Sequence, residues 1–202
     1  MNSELLTGLV VFCMVTLITP GPNNLMLMAS GLNFGMRRSG PHMLGVALGF
    51  AVMVLLIGLG LGEVFAAVPM AYTALRYAGA AYLLYLAWEI ARSGPLEPGA
   101  VATGRPLTFW QAAAFQWINP KGWVIAVGAA ASYAAVAPFP WSAALTSGLF
   151  GLFGIVSSVV WVLFGQSLQR WLSSPGAIRL FNWTMAALLV ASLYPVLVDI
   201  KP

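Results

Sequence analysis

The apolar run from Leu5 to Leu32 is interrupted at its centre by "LITPGPNNLM", residues 17–26. A proline inside a helix removes a backbone donor and clashes with the preceding turn, so two prolines around a glycine stop the helix. The same kind of interruption returns in "FQWINPKGW", residues 115–123, inside a second over-long apolar run. Ile18-Thr19-Pro20 and Ile118-Asn119-Pro120 align at an offset of 100 residues, and Ala74-Leu75-Arg76 aligns with Ala177-Ile178-Arg179 at an offset of 103. A fold for this chain has to accommodate two broken apolar segments at matching places.

The solvent in which it does so follows from composition. The 202 residues are 60% hydrophobic and 7% charged, whereas a soluble domain is about 25% charged. So little charge cannot solvate a globular surface of this length, and the expected class is an all-α integral membrane protein. The nine Lys and Arg are scattered, which gives no nucleic-acid footprint. A single cysteine, Cys13, excludes an internal disulfide and an intramembrane dithiol relay, and reads as a small packing residue. The start, MNSELLTG, has no basic segment and leads into a run too long for a cleaved signal, so that run is expected to stay in the protein.

A bilayer core takes about 20 apolar residues per helix. Six spans are expected on that measure: 5–32, 43–66, 72–91, 109–134, 141–166 and 177–198. The Gly- and Pro-rich stretch 93–108 separates two three-helix units, 1–92 and 109–202, within one membrane domain. Because three is odd, the second unit is inverted relative to the first. Arg37, Arg38, Arg92, Arg105 and Arg170 fall in loops 1, 3 and 5, with Arg179 just beyond, against Arg76 and Lys201 on the other side. The positive-inside rule then puts those loops in the cytoplasm and both termini outside. A re-entrant first span would instead put the N-terminus inside. Trp110, Trp141, Trp171 and Trp183 near span ends suit the interface. Gly45/Gly49, Gly58/Gly62 and Ala187/Ala191 have the spacing that lets helices approach closely.

In lipid an unsatisfied backbone group costs several kcal/mol, so broken helices are tolerated only beside protein or a water-filled cavity. Paired breaks in inverted halves point to a transporter binding site. Gly21 allows the turn and Pro22 suits the first turn of a new helix, whose N–H groups face the gap and favour a carboxylate. Asn23 and Asn24 have amides for freed backbone groups or a polar ligand. In the second break Gln116, Asn119 and Pro120 are joined by Lys121, a cation well inside a span, which is a functional hypothesis by default. The plainer readings are a structural kink for residues 20–24 and snorkelling for Lys121. Arg76, Tyr82, Trp117 and Trp123 are supporting candidates, with interfacial anchoring and packing as the plainer roles of Arg76 and Tyr82. Glu63 reads as interfacial rather than as a proton carrier, Glu89 and Arg92 as solvated, and His42, the only histidine, as a loop residue beside Arg37 and Arg38, with a gating or proton role as the minority reading.

"TPGPNNLMLMASGLNFGMRRSGPHMLGVALGF", "LRYAGAAYLLYLAWEI" and "FQWINPKGW" together resemble the LysE/RhtB superfamily of small amino-acid exporters, over essentially the whole chain. Within it, "AGAAYLLYLAW" and the approach to span 4 are similar to the branch that exports cysteine and O-acetylserine. The resemblance implies proton-driven efflux of amino acids or close derivatives across a bacterial inner membrane, with no cofactor or metal. It places Pro20 through Asn24 and Asn119 through Lys121 on the substrate path. The scarcity of acids inside the spans favours a neutral or zwitterionic substrate over a strongly cationic one. The small size of a six-span unit points to a homodimer. Two other classes remain: a membrane-embedded enzyme, for which one His and one Cys provide little machinery, and a scaffold without transport.

Overall fold

The computed structural model describes residues 2–62, 69–92, 105–172 and 174–194. Within these it is helical: α1 (Ser3–Ile18), α2 (Pro22–Leu56) running into a π-helical turn (Ile57–Leu61), α3 (Pro69–Arg92), α4 (Phe109–Phe115), a 3-10 turn (Gln116–Ile118), α5 (Pro120–Ser132), a second 3-10 turn (Ala134–Val136), α6 (Trp141–Trp171) and α7 (Pro175–Ala191). Glu63, residues 93–104 of the central loop, the end of the sixth expected span and Lys201 lie outside the described residues, as do the side chains of Arg76 and Arg170.

Local chemistry sets the boundaries. The Asn2 side chain accepts from the Glu4 and Leu5 N–H groups and opens α1. Thr19 precedes a proline and takes extended backbone (φ −58°, ψ 129°), which ends it. α2 resumes with Pro22 at its first position, where a missing N–H leaves nothing unsatisfied. The first interruption is therefore residues 19–21, and Asn23 and Asn24 lie in the first turn of α2 rather than in the gap. The second has the same form. Thr108 and Gln111 make a reciprocal capping box for α4, the 3-10 turn closes it, and Pro120 starts α5.

α2 is not one rod. Gly35 has φ 73°, a left-handed conformation that glycine tolerates. Ser30 and Ser39 would lie about 13 Å apart along a straight helix, yet their hydroxyls are 2.8 Å apart. The chain thus folds into two arms, 22–34 and 36–56. The loop expected around NFGMRRSGPH shrinks to this hinge because its polar groups are satisfied locally. Ser39 donates to the Gly35 carbonyl, and the Met36 N–H donates to Gln166 of α6. Among the described residues two helical runs, Pro22–Leu61 and Trp141–Leu168, are long and apolar enough to cross a bilayer, and Ser3–Ile18 and Pro175–Ala191 are shorter apolar helices.

The polarity of the molecule is inverted relative to a soluble domain. Val11, Val15, Leu48, Val52, Val156, Val160 and Leu188 face outward, each more than two-fifths exposed, while Asn24, Asn33, His42, Gln116, Asn119 and Asn182 are buried. One core joins α1, the second arm, α5 and α6 through Leu9, Met53, Trp123 and Phe150. Another joins the first arm to α3 and α7 through Met26, Leu83, Phe115 and Leu189. Leu27 and Val46, one from each arm, meet Val162 between the two cores. α2 packs most extensively on α6, and α3 on α7.

Candidate functional site

The last carbonyls of a helix have no intrahelical partner, and the C-terminus of α1 is met by other parts of the chain although Ile18, Thr19 and Pro20 are themselves exposed. Three elements supply donors to it. Asn24 Nδ2 donates to the Leu17 and Thr19 carbonyls, each at 2.9 Å. Ser157 of α6 donates to Leu17 O at 2.8 Å. Lys121, from the second break, donates through Nζ to Thr19 O and, at 3.3 Å, to Pro20 O. Its stem crosses Gly21 so closely that a Cβ there would lie 2.7 Å from Lys121 Cδ.

The electrostatics favour this placement. The carbonyl end of α1 has partial negative charge and attracts the ammonium, whereas the first turn of α5, where Lys121 is rooted, repels a cation. A second link joins the breaks. Asn23 Nδ2 donates to Gln116 Oε1 at 2.8 Å, and Gln116 Nε2 returns a bond to Asn23 Oδ1 at 3.2 Å. Gln116 Nε2 also donates to the Ala112 carbonyl, fixing the amide's orientation. Asn119 is 2% exposed, and its Oδ1 has no hydrogen-bond partner among the described residues. A cavity of about 30 Å³ lies here, lined by Thr16, Gly21, Asn23, Asn24, Asn119 and Lys121. A second of equal size continues it past Ala47, Phe50, Ser157 and Ser158. Each has space for about one water.

Pro20, Gly21, Pro22, Asn23, Asn24, Gln116, Asn119, Pro120 and Lys121 are thus brought to one place from segments nearly a hundred residues apart. The supporting candidates divide. Tyr82 packs against Phe115 with ring centroids 6.0 Å apart and planes tilted by 41°, at the edge of the second break. Trp123 donates to the Trp117 carbonyl and packs edge-on against that ring, so both stabilise the turn. Arg76 belongs to α3, and its side chain is not described. Ser157 is a contributor that the sequence does not reveal, because a serine in an apolar helix gives no sign of the carbonyl it meets.

His42 corrects the sequence reading. It is not a loop residue but lies in the second arm of α2, 2% exposed, with neither ring nitrogen partnered. It lines a larger cavity, about 290 Å³, with Met26, Ser30, Asn33, Glu89, Arg92 and Arg105. Glu89 and Arg92 are exposed as expected but stand at this cavity, and the Arg92 guanidinium lies over the Trp88 ring.

A chain helical over its described residues, with an apolar exterior and two broken segments tied to each other, is matched over residues 14–193 by the family described as LysE type translocator. The chain belongs to that family. It is a membrane transport protein rather than an enzyme. Cysteine/O-acetylserine efflux proteins of Escherichia coli (strain K12), Escherichia coli O9:H4 (strain HS) and Shigella sonnei (strain Ss046) are each 34% identical to it over 194 residues, covering 94% of this chain and 96% of the relative. No solved structure matches this translocator at a significant level.

Proposed function

We propose that this translocator exports small neutral or zwitterionic amino acids or close derivatives across the bacterial inner membrane, driven by the proton gradient. Cysteine and O-acetylserine, which the similar efflux proteins are named for, are the first substrates to test. The observation that carries the reading is the Lys121 ammonium of one break resting on the Thr19 and Pro20 carbonyls of the other. A substrate carboxylate is a stronger acceptor than a neutral carbonyl. On binding it takes Lys121 from α1 and so loosens one half of the molecule from the other. The cavity lining at the breaks includes a cation and no acid, which suits a carboxylate-bearing zwitterion better than a cationic substrate.

In this reading the chain crosses the membrane six times as two inverted units, 1–92 and 109–202, linked by 93–108, and works as a homodimer by alternating access. Contact between elements that correspond in the two units supports it: break with break, the second arm of α2 with α6, and α3 with α7.

The test is gradient-dependent efflux of labelled O-acetylserine, cysteine and a panel of neutral amino acids from proteoliposomes. Wild type is compared with Asn23→Ala and Lys121→Met, each first shown to be folded. Losing a charged hydrogen bond is expected to lower efflux roughly tenfold or more. Unchanged efflux in both variants overturns the site, and no efflux of any panel member by wild type overturns the function.

A further inference from the structure

The cavity at the breaks has space for about one water, whereas the 290 Å³ cavity farther along the first arm is close to ligand size. We propose that this larger cavity is a second binding site, a vestibule that takes a zwitterionic amino acid before it reaches the breaks; the choice of ligand rests on the export reading above.

His42 is the first argument. A neutral imidazole has one donor and one acceptor, and burying both unpaired is unfavourable. Both nitrogens of His42 are buried without a partner in a residue that lines this cavity. Neither nitrogen lies on the cavity surface as it stands, so a polar ligand satisfies one of them when the ring turns toward the cavity.

Ser30 is the second. Ser39 commits its only proton to the Gly35 carbonyl, so the 2.8 Å contact between the two hydroxyls has Ser30 as donor. Ser30 Oγ then has only lone pairs for the cavity, suited to an α-ammonium. Asn33 is occupied by Ala29 O and Asn182 and serves as wall.

The charges at the mouth are the third. Arg92 and Arg105 supply cations for a carboxylate, and Glu89 supplies the opposite sign. That set, two cations and one acid, suits a carboxylate-bearing zwitterion better than a purely apolar or a cationic solute. The two cavities are also adjacent. Met26 lines the larger and Asn23 the smaller, three residues or about 4.5 Å of rise along the same arm.

The test is equilibrium binding of labelled O-acetyl-L-serine and L-cysteine to the intact protein in nanodiscs, alongside efflux from the same preparation in proteoliposomes. Arg105→Gln, at an exposed site, is expected to weaken binding roughly tenfold without changing the melting temperature. His42→Leu replaces an unsatisfied buried ring by an apolar group, so a merely structural histidine gives equal or higher thermal stability and unchanged binding. A binding histidine gives weakened binding with stability retained. Lys121→Met, which alters the break and not the vestibule, is expected to lower efflux roughly tenfold or more while binding that Arg105→Gln weakens remains measurable. Binding that is absent in wild type, or unchanged in both Arg105→Gln and His42→Leu, overturns the vestibule. Absence of efflux by wild type overturns the transport reading separately.

Discussion

Lys121 is useful to the molecule because of where its partner carbonyls lie, and Gly21 is what lets it reach them. A methyl group at residue 21 would meet the lysine stem at 2.7 Å. A flexible side chain can yield to that contact, so Gly21→Ala is expected to leave the fold intact while moving Nζ off Thr19 O. Transport should fall well below wild type, with thermal stability changed by less than about 1 kcal/mol. Because both residues act through one contact, adding Gly21→Ala to Lys121→Met should cause little further loss. A multiplicative loss in the double variant would show that Gly21 acts elsewhere. At this scale the sequence reading named residues that the fold brings together, and their contacts differ in part from those expected. The breaking power of Pro20 and Pro22 was legible because it is local. That Asn24 serves freed backbone groups was legible too, but Ser157 joining it on the Leu17 carbonyl was not, since that serine comes from a distant helix and nothing local to it names its acceptor. His42 was misread for the same reason: next to two arginines it resembles a loop residue, and only the hinge at Gly35 turns it inward.

Helices meet here through glycines, and their effects divide into two groups. A Cβ at Gly165 would lie 1.9 Å from the Met28 carbonyl oxygen, and one at Gly31 would lie 2.1 Å from that of Val162. These are backbone atoms at the crossing of the first arm of α2 with α6, and no side-chain rotation relieves them. Gly45 and Gly49 approach Phe109 and Ala113 of α4 in the same way. By contrast Gly128 and Gly148 have open space around the added carbon. Gly31→Ala and Gly165→Ala are therefore expected to lose most of the monodisperse protein. Gly128→Ala and Gly148→Ala should hold or gain up to about 1 kcal/mol, the usual helix preference for alanine. Size-exclusion profiles and melting curves of the four variants decide it, and a well-behaved Gly165→Ala would contradict the crossing. The Gly45/Gly49 contact was readable from spacing, because both residues lie on one helix face. Gly31 and Gly165 were not, since each is a single small residue whose partner lies on a distant segment. The hinge at Gly35 escaped for a related reason: a glycine between apolar residues and arginines looks like any loop glycine until its φ of 73° is seen.

At the scale of the whole molecule, the exterior and the charges have to agree on one orientation. Valines and leucines cover the outside of α1, α2 and α6, which only lipid can solvate well. Arg37 and Arg38 follow the hinge, Arg92 ends α3, and Arg105 precedes α4. The 290 Å³ cavity holds Arg92 and Arg105 together with residues of the arm that leads to the hinge, so these arginines gather at one end of the molecule. Positive charge of this kind is retained on the cytoplasmic side, and for an exporter a vestibule at that end is the one its substrate meets first. Reporter fusions test this directly. A fluorescent protein joined within residues 93–104 should fluoresce, while alkaline phosphatase joined there should be inactive. Phosphatase joined near residue 66 or residue 137 should be active. The reverse pattern would put the vestibule on the outer face and turn the export direction around while leaving the paired breaks untouched. Equal phosphatase activity at 66 and 100 would mean that α3 does not cross, and the two-unit inverted architecture would fall with it.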